Sequence, residues 1–442
     1  MKLNSHVLKS TAFEAMGGLL FGFDTAVISG VTHALTLAYR LSPFMLGFTV
    51  SSALWGTVAG AMGAGLPGQR FGRRDSLRAM ALFYVLSAFG CAFAWNLSSL
   101  IAFRVIGGLG IGGSSVLGPM YIAEIAPAKW RGRLVGAFQV NVVAGVLLAY
   151  LSNYLLRTLH LGAVEWRWRL GVSAIPALLF FFTLFLIPRS PRWLVTQGRI
   201  EEALQVLRST EPEGAEAELE EIVASVHLER SGASETLFAR KYRFPVFLAV
   251  SVGVFCQLSG INAILYYLND IFALSGATAL SGDLQAVAVG ATNMAATLIA
   301  MSIIDRLGRK KLLLAGTAGL TVCLGAISTL FLTGKHLHWL VWLIIAYIAC
   351  FATSQGAVIW VYISEVFPNR VRAKGQALGS SATWVANALI SAVFPLMAKS
   401  YGAYPFLFFA GMMALDFVVV LFWYPETSGV SLEQMQRRMG ID

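Results

Sequence analysis

Charge is what this sequence has least of. Asp, Glu, Lys and Arg together make up 13% of its 442 residues, about half the share that covers the surface of a soluble domain. A chain with so little charge and so much apolar surface cannot face water on all sides, which excludes a soluble enzyme and a disordered or collagen-like chain. Cysteine is also scarce: Cys91, Cys256, Cys323 and Cys350 stand singly in apolar runs, with no CxxC pair and no metal spacing. The six histidines fall at or outside the ends of those runs. With no paired catalytic acids and no Ser/His/Asp set, the reading is that the protein is not an enzyme and carries no cofactor or metal. No cleavable leader is expected either, because the first apolar run contains Asp24 and no small-residue cleavage site and reads as a span.

What is present is hydrophobic sequence, 57% of the chain, with 43 glycines, a residue that lets helices in a membrane pack closely. Apolar runs fall near 11–33, 44–66, 77–95, 99–124, 134–156 and 170–187, then near 244–274, 284–304, 312–333, 339–364, 375–398 and 404–424. Each is long enough to cross a bilayer as a helix. The prediction is an all-α membrane protein of twelve transmembrane helices. Of the 33 bases, 26 fall on one face of that arrangement, six on the other and one, Arg104, inside a span. Basic loops stay in the cytoplasm, so both termini and the central loop are expected there. The net charge of +10 is then a topology signal and not a nucleic-acid footprint.

The polar stretch 188–243 divides the runs six and six. Its segments 200–207 and 215–228 have helical spacing and acidic outer faces, which predicts short cytoplasmic helices. The domain reading is 1–187 for one six-helix bundle, 188–243 for the linker, 244–424 for the second bundle and 425–442 for a cytoplasmic tail. The bundles are internal repeats. Arg70-Phe71-Gly72-Arg73-Arg74 recurs as Arg306-Leu307-Gly308-Arg309-Lys310. Tyr121, Glu124, Pro127 and Arg131 recur as Tyr362, Glu365, Pro368 and Arg372, and Pro188 is matched by Pro425. Parallel repeats of six spans place a substrate site between the halves near the midplane, the arrangement of a transporter.

Several motifs in order carry a family resemblance: GGLLFGFDTAVISG (17–30), RFGRRDSL (70–77), RVIGGLGIGG (104–113), MYIAEIAPAKWRGRL (120–134), SPRWL (190–194), QLSGINAILYY (257–267), DRLGRKKL (305–312), SEVFPNRVRAKG (364–375) and PETSG (425–429). Over essentially its whole length the chain resembles the sugar porter family of the major facilitator superfamily. The resemblance implies the major facilitator fold and monosaccharide uptake, of hexose or pentose, by alternating access. Asp24 and Arg104 match the proton-coupling pair of the symporters in that family. Ionisable groups inside a span are costly and usually pair or line a cavity, so the pair reads either as a structural tie or as a proton switch. Proton symport is the expected activity; a facilitative uniporter with Asp24 structural is the alternative. A sugar sensor of the same fold is more remote, since only a short tail follows Tyr424.

Matching positions imply that Gln139, Gln257, Asn262, Asn293, Trp360, Trp384 and Asn387 bind sugar. An amide offers donor and acceptor together, as a hydroxyl does. Tyr266 and Tyr267 match the outer gate, and Arg73, Glu124, Arg131, Arg309, Glu365, Arg372 and Glu426 match an inner salt-bridge network. Expected partners are the sugar, the proton and membrane lipid, with no nucleic acid, for a monomer in a bacterial inner membrane. Four positions depart from the pattern: Gln69 and Arg189 replace acids, Cys256 replaces a glutamine and Ala357 a proline. The first two predict that the arginines of the N-terminal half lack acidic partners, with a weaker inner lock and a resting bias toward an inward-open state.

Overall fold

The computed structural model describes residues 4–127, 130–210, 214–231, 236–368 and 371–428, with scattered positions from 430 to 441. Lys2, Lys129, Arg370 and Arg438, four of the bases counted above, lie outside the described residues. Among the described residues every regular element is a helix.

Spans 1 to 5 are Ser5–Val27, Pro43–Gly63, Arg73–Ala92, Leu97–Ile125 and Arg131–Thr158, and span 6 is the pair Glu165–Gly171 and Ala174–Thr183. Span 7 comes in three pieces, Arg243–Leu258, Ile261–Tyr266 and Leu268–Leu274. Spans 8 and 9 are Ala279–Leu307 and Arg309–Thr333, span 10 is Leu340–Thr353 with Gln355–Glu365, and spans 11 and 12 are Arg372–Tyr401 and Tyr404–Trp423. Ten of these are long and apolar enough to cross a membrane, and the protein is an integral membrane protein. Spans 3 and 6 are the two that fall short by that measure. Span 3 opens on Arg73, Arg74, Asp75 and Arg78, which dilute its hydropathy. Span 6 is broken because Pro176 has no N–H for the carbonyl of Val172, which accepts from Ile175 instead at 3.1 Å.

The linker forms three helices, Pro191–Thr196, Ile200–Thr210 and Ala215–Ser231. Ser190 caps the first with its side chain and Pro191 stands at its first turn, the usual order of residues at a helix start. Trp193, Leu194, Val195, Ala203 and Val226 bury a small core of their own, so the acidic faces are left to water.

The chain divides by contacts into two compact units that do not follow the repeat boundary. One holds residues 1–24, 55–146 and 167–234; the other holds 25–54, 147–166 and 235–442. Spans 1 and 5 thus each contribute one end to each unit, which a helix of 23 or 28 residues is long enough to do. In the first unit spans 1 and 5 pack backbone to backbone. A Cβ on Gly22 would meet the carbonyl oxygen of Val142 at 1.8 Å, and one on Gly145 that of Leu19 at 2.0 Å, so only glycine permits this approach.

Candidate functional site

The first unit holds one acid–base pair deep in its helices. Arg104 of span 4 is 4% exposed, and its Nη2 lies 4.0 Å from Oδ2 of Asp24 on span 1, which is 30% exposed. At that separation the pair is electrostatic and not a direct hydrogen bond, so the acid can part from the base without breaking one. Gln139, on span 5 of the same unit, is half-buried.

The second unit assembles most of the other expected polar side chains. The break in span 7 falls at Gly260, whose φ of +81° is left-handed; a residue with a Cβ is strained there. Across this break Nδ2 of Asn262 donates to Oε1 of Gln257 at 2.8 Å. Asn387 of span 11 is buried, donates to the Tyr266 hydroxyl at 3.4 Å and accepts from Ser391 at 3.1 Å. Asn293 is buried without a protein hydrogen bond among the described residues, leaving its amide for another partner. Trp384 is buried and Trp360 is 39% exposed. Tyr266 and Tyr267 are both buried; the Tyr267 hydroxyl donates to the Ser391 carbonyl at 3.1 Å, and its ring stacks on Phe394. The Tyr150 hydroxyl closes the same segment by donating to the carbonyl of Leu265 at 3.1 Å.

The two repeats build the same device at their basic ends. In the first, Arg73 Nη2 lies 2.9 Å from Glu124 and its Nη1 donates to the Gly68 carbonyl at 2.8 Å. Ser190 donates to Glu124, and the Tyr121 hydroxyl donates to the Pro188 carbonyl at 2.9 Å. In the second, Arg309 lies 2.9 Å from Glu365 and donates to the Ile304 carbonyl at 3.3 Å. Thr427 donates to Glu365, and Tyr362 to the Pro425 carbonyl at 3.2 Å. Gly72 and Gly308 turn into spans 3 and 9 with φ of +89° and +87°.

Three expectations for this network are corrected. The arginines of the first repeat do not lack an acid: Asp75 accepts from Arg74 at 3.1 Å, Arg78 at 2.9 Å and Arg189 at 3.1 Å. Glu426 is chiefly a helix cap, accepting the backbone N–H of Arg309 at 2.8 Å and of Lys310 at 3.1 Å, where a carboxylate also meets the positive end of the span 9 dipole. Arg131 is exposed and makes no ion pair among the described residues. Arg372 donates to the nearby carbonyl of Phe367 at 3.4 Å.

Three buried acids inside spans were missed by reading motifs. Glu14 of span 1 and Asp416 of span 12 are buried, the latter accepting from Gln355 at 2.6 Å. Asp283 of span 8 is buried against Arg157 at 3.1 Å and Asn269, while Arg157 also lies 3.2 Å from Glu165. For Glu14 and Asp416 the signal was available, since any ionisable residue within an apolar run is a candidate functional group.

Residues 10–439 match the family model described as sugar (and other) transporter. The chain belongs to that family. It is 37% identical to the arabinose-proton symporter of Bacillus subtilis, over 98% of this chain and 94% of that one. It is 36% identical to the glucose transport protein of a Synechocystis strain, over 97% of both chains. Among solved structures it resembles a partially occluded, inward-open conformation of the xylose transporter XylE from Escherichia coli, with a TM-score of 0.87 and 33% identity over 97% of this chain and all of that one. The fold expected from the motifs, twelve helices in two six-helix repeats, is that of this transporter family.

Proposed function

We propose that the protein takes up a monosaccharide together with a proton by alternating access in a bacterial inner membrane. The observation that carries this reading is the Asp24–Arg104 pair, an acid and a base within a helical unit at 4.0 Å, in a chain whose relatives include an arabinose-proton symporter. Asp24 carries the proton. When Arg104 stays close the carboxylate is favoured, and when it is drawn away the acid binds a proton, because a nearby cation stabilises the charged form. Gln139, Gln257, Asn262, Asn293, Trp360, Trp384 and Asn387 bind the sugar: amides to its hydroxyls, indole faces to its C–H groups. The unpartnered amide of Asn293 and the joined pair Gln257–Asn262 support that assignment.

Tyr266 and Tyr267 form the outer gate, and the paired arginine–glutamate clamps form the inner one. The bundles 1–187 and 244–424 work as the two halves, joined by the linker 188–243 and followed by the tail 425–442, with both termini cytoplasmic. The protein acts as a monomer in lipid, without nucleic acid and without enzymatic activity. Uptake into proteoliposomes tests the reading. Sugar-dependent alkalinisation of the outer solution, lost in Asp24→Asn, is the expected result. Counterflow with no pH signal from the wild type would instead assign a uniporter.

A further inference from the structure

Glu14 lies ten residues before Asp24 on span 1, about 15 Å along a helix, toward the basic end. Its side chain is fully buried, and neither carboxyl oxygen accepts a hydrogen bond. Thr11, on the same helix face, has a buried hydroxyl that is likewise unpartnered. Span 4 leaves room for the carboxyl only because residue 118 is glycine: a Cβ there would come within 2.0 Å of Oε1. The titratable groups that interact electrostatically with it are the phenols of Tyr84 on span 3 and Tyr121 on span 4. The ring of Phe138 on span 5 lies at the same place, 3.1 Å from where a Cβ on Gly118 would stand. Among the described residues no lysine or arginine makes an ion pair with it.

A residue needed only for packing would be apolar here. An ionised carboxylate out of water and without a cation is very costly, whereas a neutral acid with one O–H is tolerated and has the Thr11 hydroxyl within one helical turn to share it with. The surroundings also connect Glu14 in both directions. Tyr84 is close enough to feel the charge of both Asp24 and Glu14, and its hydroxyl shares a hydrogen bond with Ser114 at 3.0 Å. Tyr121 interacts electrostatically with Glu14, Glu124 and Arg74, and its hydroxyl donates to the Pro188 carbonyl at the basic end.

We infer that Glu14 is a second proton-carrying carboxyl, a release station between Asp24 and the cytoplasmic face. The inference rests on the symport reading. Glu14 rests neutral, and its O–H breaks first as the proton passes to water at the basic end. The Asp24 O–H then breaks as the Glu14 carboxylate regains an O–H, with groups such as Tyr84 and Ser114 spanning the gap. One proton is thus released, Glu14 is neutral again and Asp24 is left ionised to take the next proton from outside.

The test compares wild-type, Glu14→Gln and Glu14→Asp protein in proteoliposomes under an imposed pH gradient, alongside infrared difference spectra of the carboxylic acid C=O band on pH change. Proton-driven net sugar uptake is expected to fall roughly 10²-fold in Glu14→Gln, the lower range for a positioned proton-transfer group. Counterflow should fall far less, and Glu14→Asp should recover part of the loss. A pH-responsive acid band present in the wild type should vanish in Glu14→Gln. Wild-type rates of proton-driven uptake in Glu14→Gln, or a band unchanged by the substitution, would overturn the inference and leave the symport reading intact. A wild-type protein that moves sugar without protons would overturn both. If Glu14→Gln does not fold, Glu14→Asp decides: a shifted acid band with a lowered proton-driven rate is expected, and a band and rate both unchanged from the wild type would overturn the inference.

Discussion

Arg189 and Asp75 are joined at 3.1 Å, linker to first helical turn, and the second repeat holds the same two positions with the charges exchanged. Glu426 occupies the place of Arg189, and Lys311 the place of Asp75. Each repeat thereby keeps one acid and one base at the start of its third helix. Partly exposed ion pairs contribute about 0–1 kcal/mol each. Asp75→Lys should therefore lower stability by roughly 1 kcal/mol, since it sets a cation among Arg74, Arg78 and Arg189. Arg189→Glu in the wild-type background should also destabilise by placing two acids together. The double variant Asp75→Lys/Arg189→Glu should recover most of the loss, as measured by thermal unfolding in detergent. Additive losses would show that the two side chains are not coupled.

Glu426 makes a prediction of a different kind, because its carboxylate is bound to backbone N–H groups. Glu426→Gln keeps an acceptor and loses the charge on the helix dipole, at about 0.3–1 kcal/mol. Glu426→Ala loses the cap as well, at about 1–2 kcal/mol. The order Ala worse than Gln in thermal unfolding is the check; equal losses would point to the charge alone.

At the opposite end of the helices from the clamps, Asp283 is buried and tied to Arg157 and Asn269. Asp283→Asn leaves Arg157 with Glu165 only, and should cost roughly 1–3 kcal/mol, the penalty of an unsatisfied polar site. A matched Arg157→Gln variant in the same background should add little further loss. Full additivity of the two would mean that they do not act as a pair.

The linker gives the pH prediction. The carboxyl of Glu202 is held below the usual glutamate range by its hydrogen bonds from Arg199, and Glu216 likewise by Arg208. A depressed carboxyl contributes stability above its unfolded value, and the contribution is lost as pH falls through the folded value. The linker helices should keep constant amide-exchange protection from neutral pH into mild acid, then lose it in stronger acid. Glu202→Gln and Glu216→Gln should flatten that response. A loss centred near neutral pH would point to another group.

Much of this arrangement was legible in the sequence. The twelve apolar runs, the two linker helices and the duplicated motifs all correspond to elements that form, because span length and side-chain period are local properties. The pairs Arg73–Glu124 and Arg309–Glu365 were legible for a related reason, since a motif repeated at one offset must occupy equivalent places. What escaped is set by contacts between distant residues. Asp75 sits beside motif arginines in sequence, yet its bond to Arg189 spans 114 positions. Glu426 caps a helix through backbone groups that no residue pattern displays. Glu14 and Asp416 were overlooked as isolated acids in hydrophobic runs, although Glu14 lies in the same run as Asp24, and Asp283 stands just before the run 284–304. The contact units also divide spans 1 and 5 along their length, whereas a boundary drawn on sequence can only fall between spans.

The exchanged charges at positions 75/189 and 311/426 have a historical consequence. The two halves descend from one ancestral half, which had a single arrangement at this corner. The family pattern has an acid at the place of Arg189, as the second half has at Glu426, so the change of sign there belongs to the first half, where it gives Asp75 a further cationic partner.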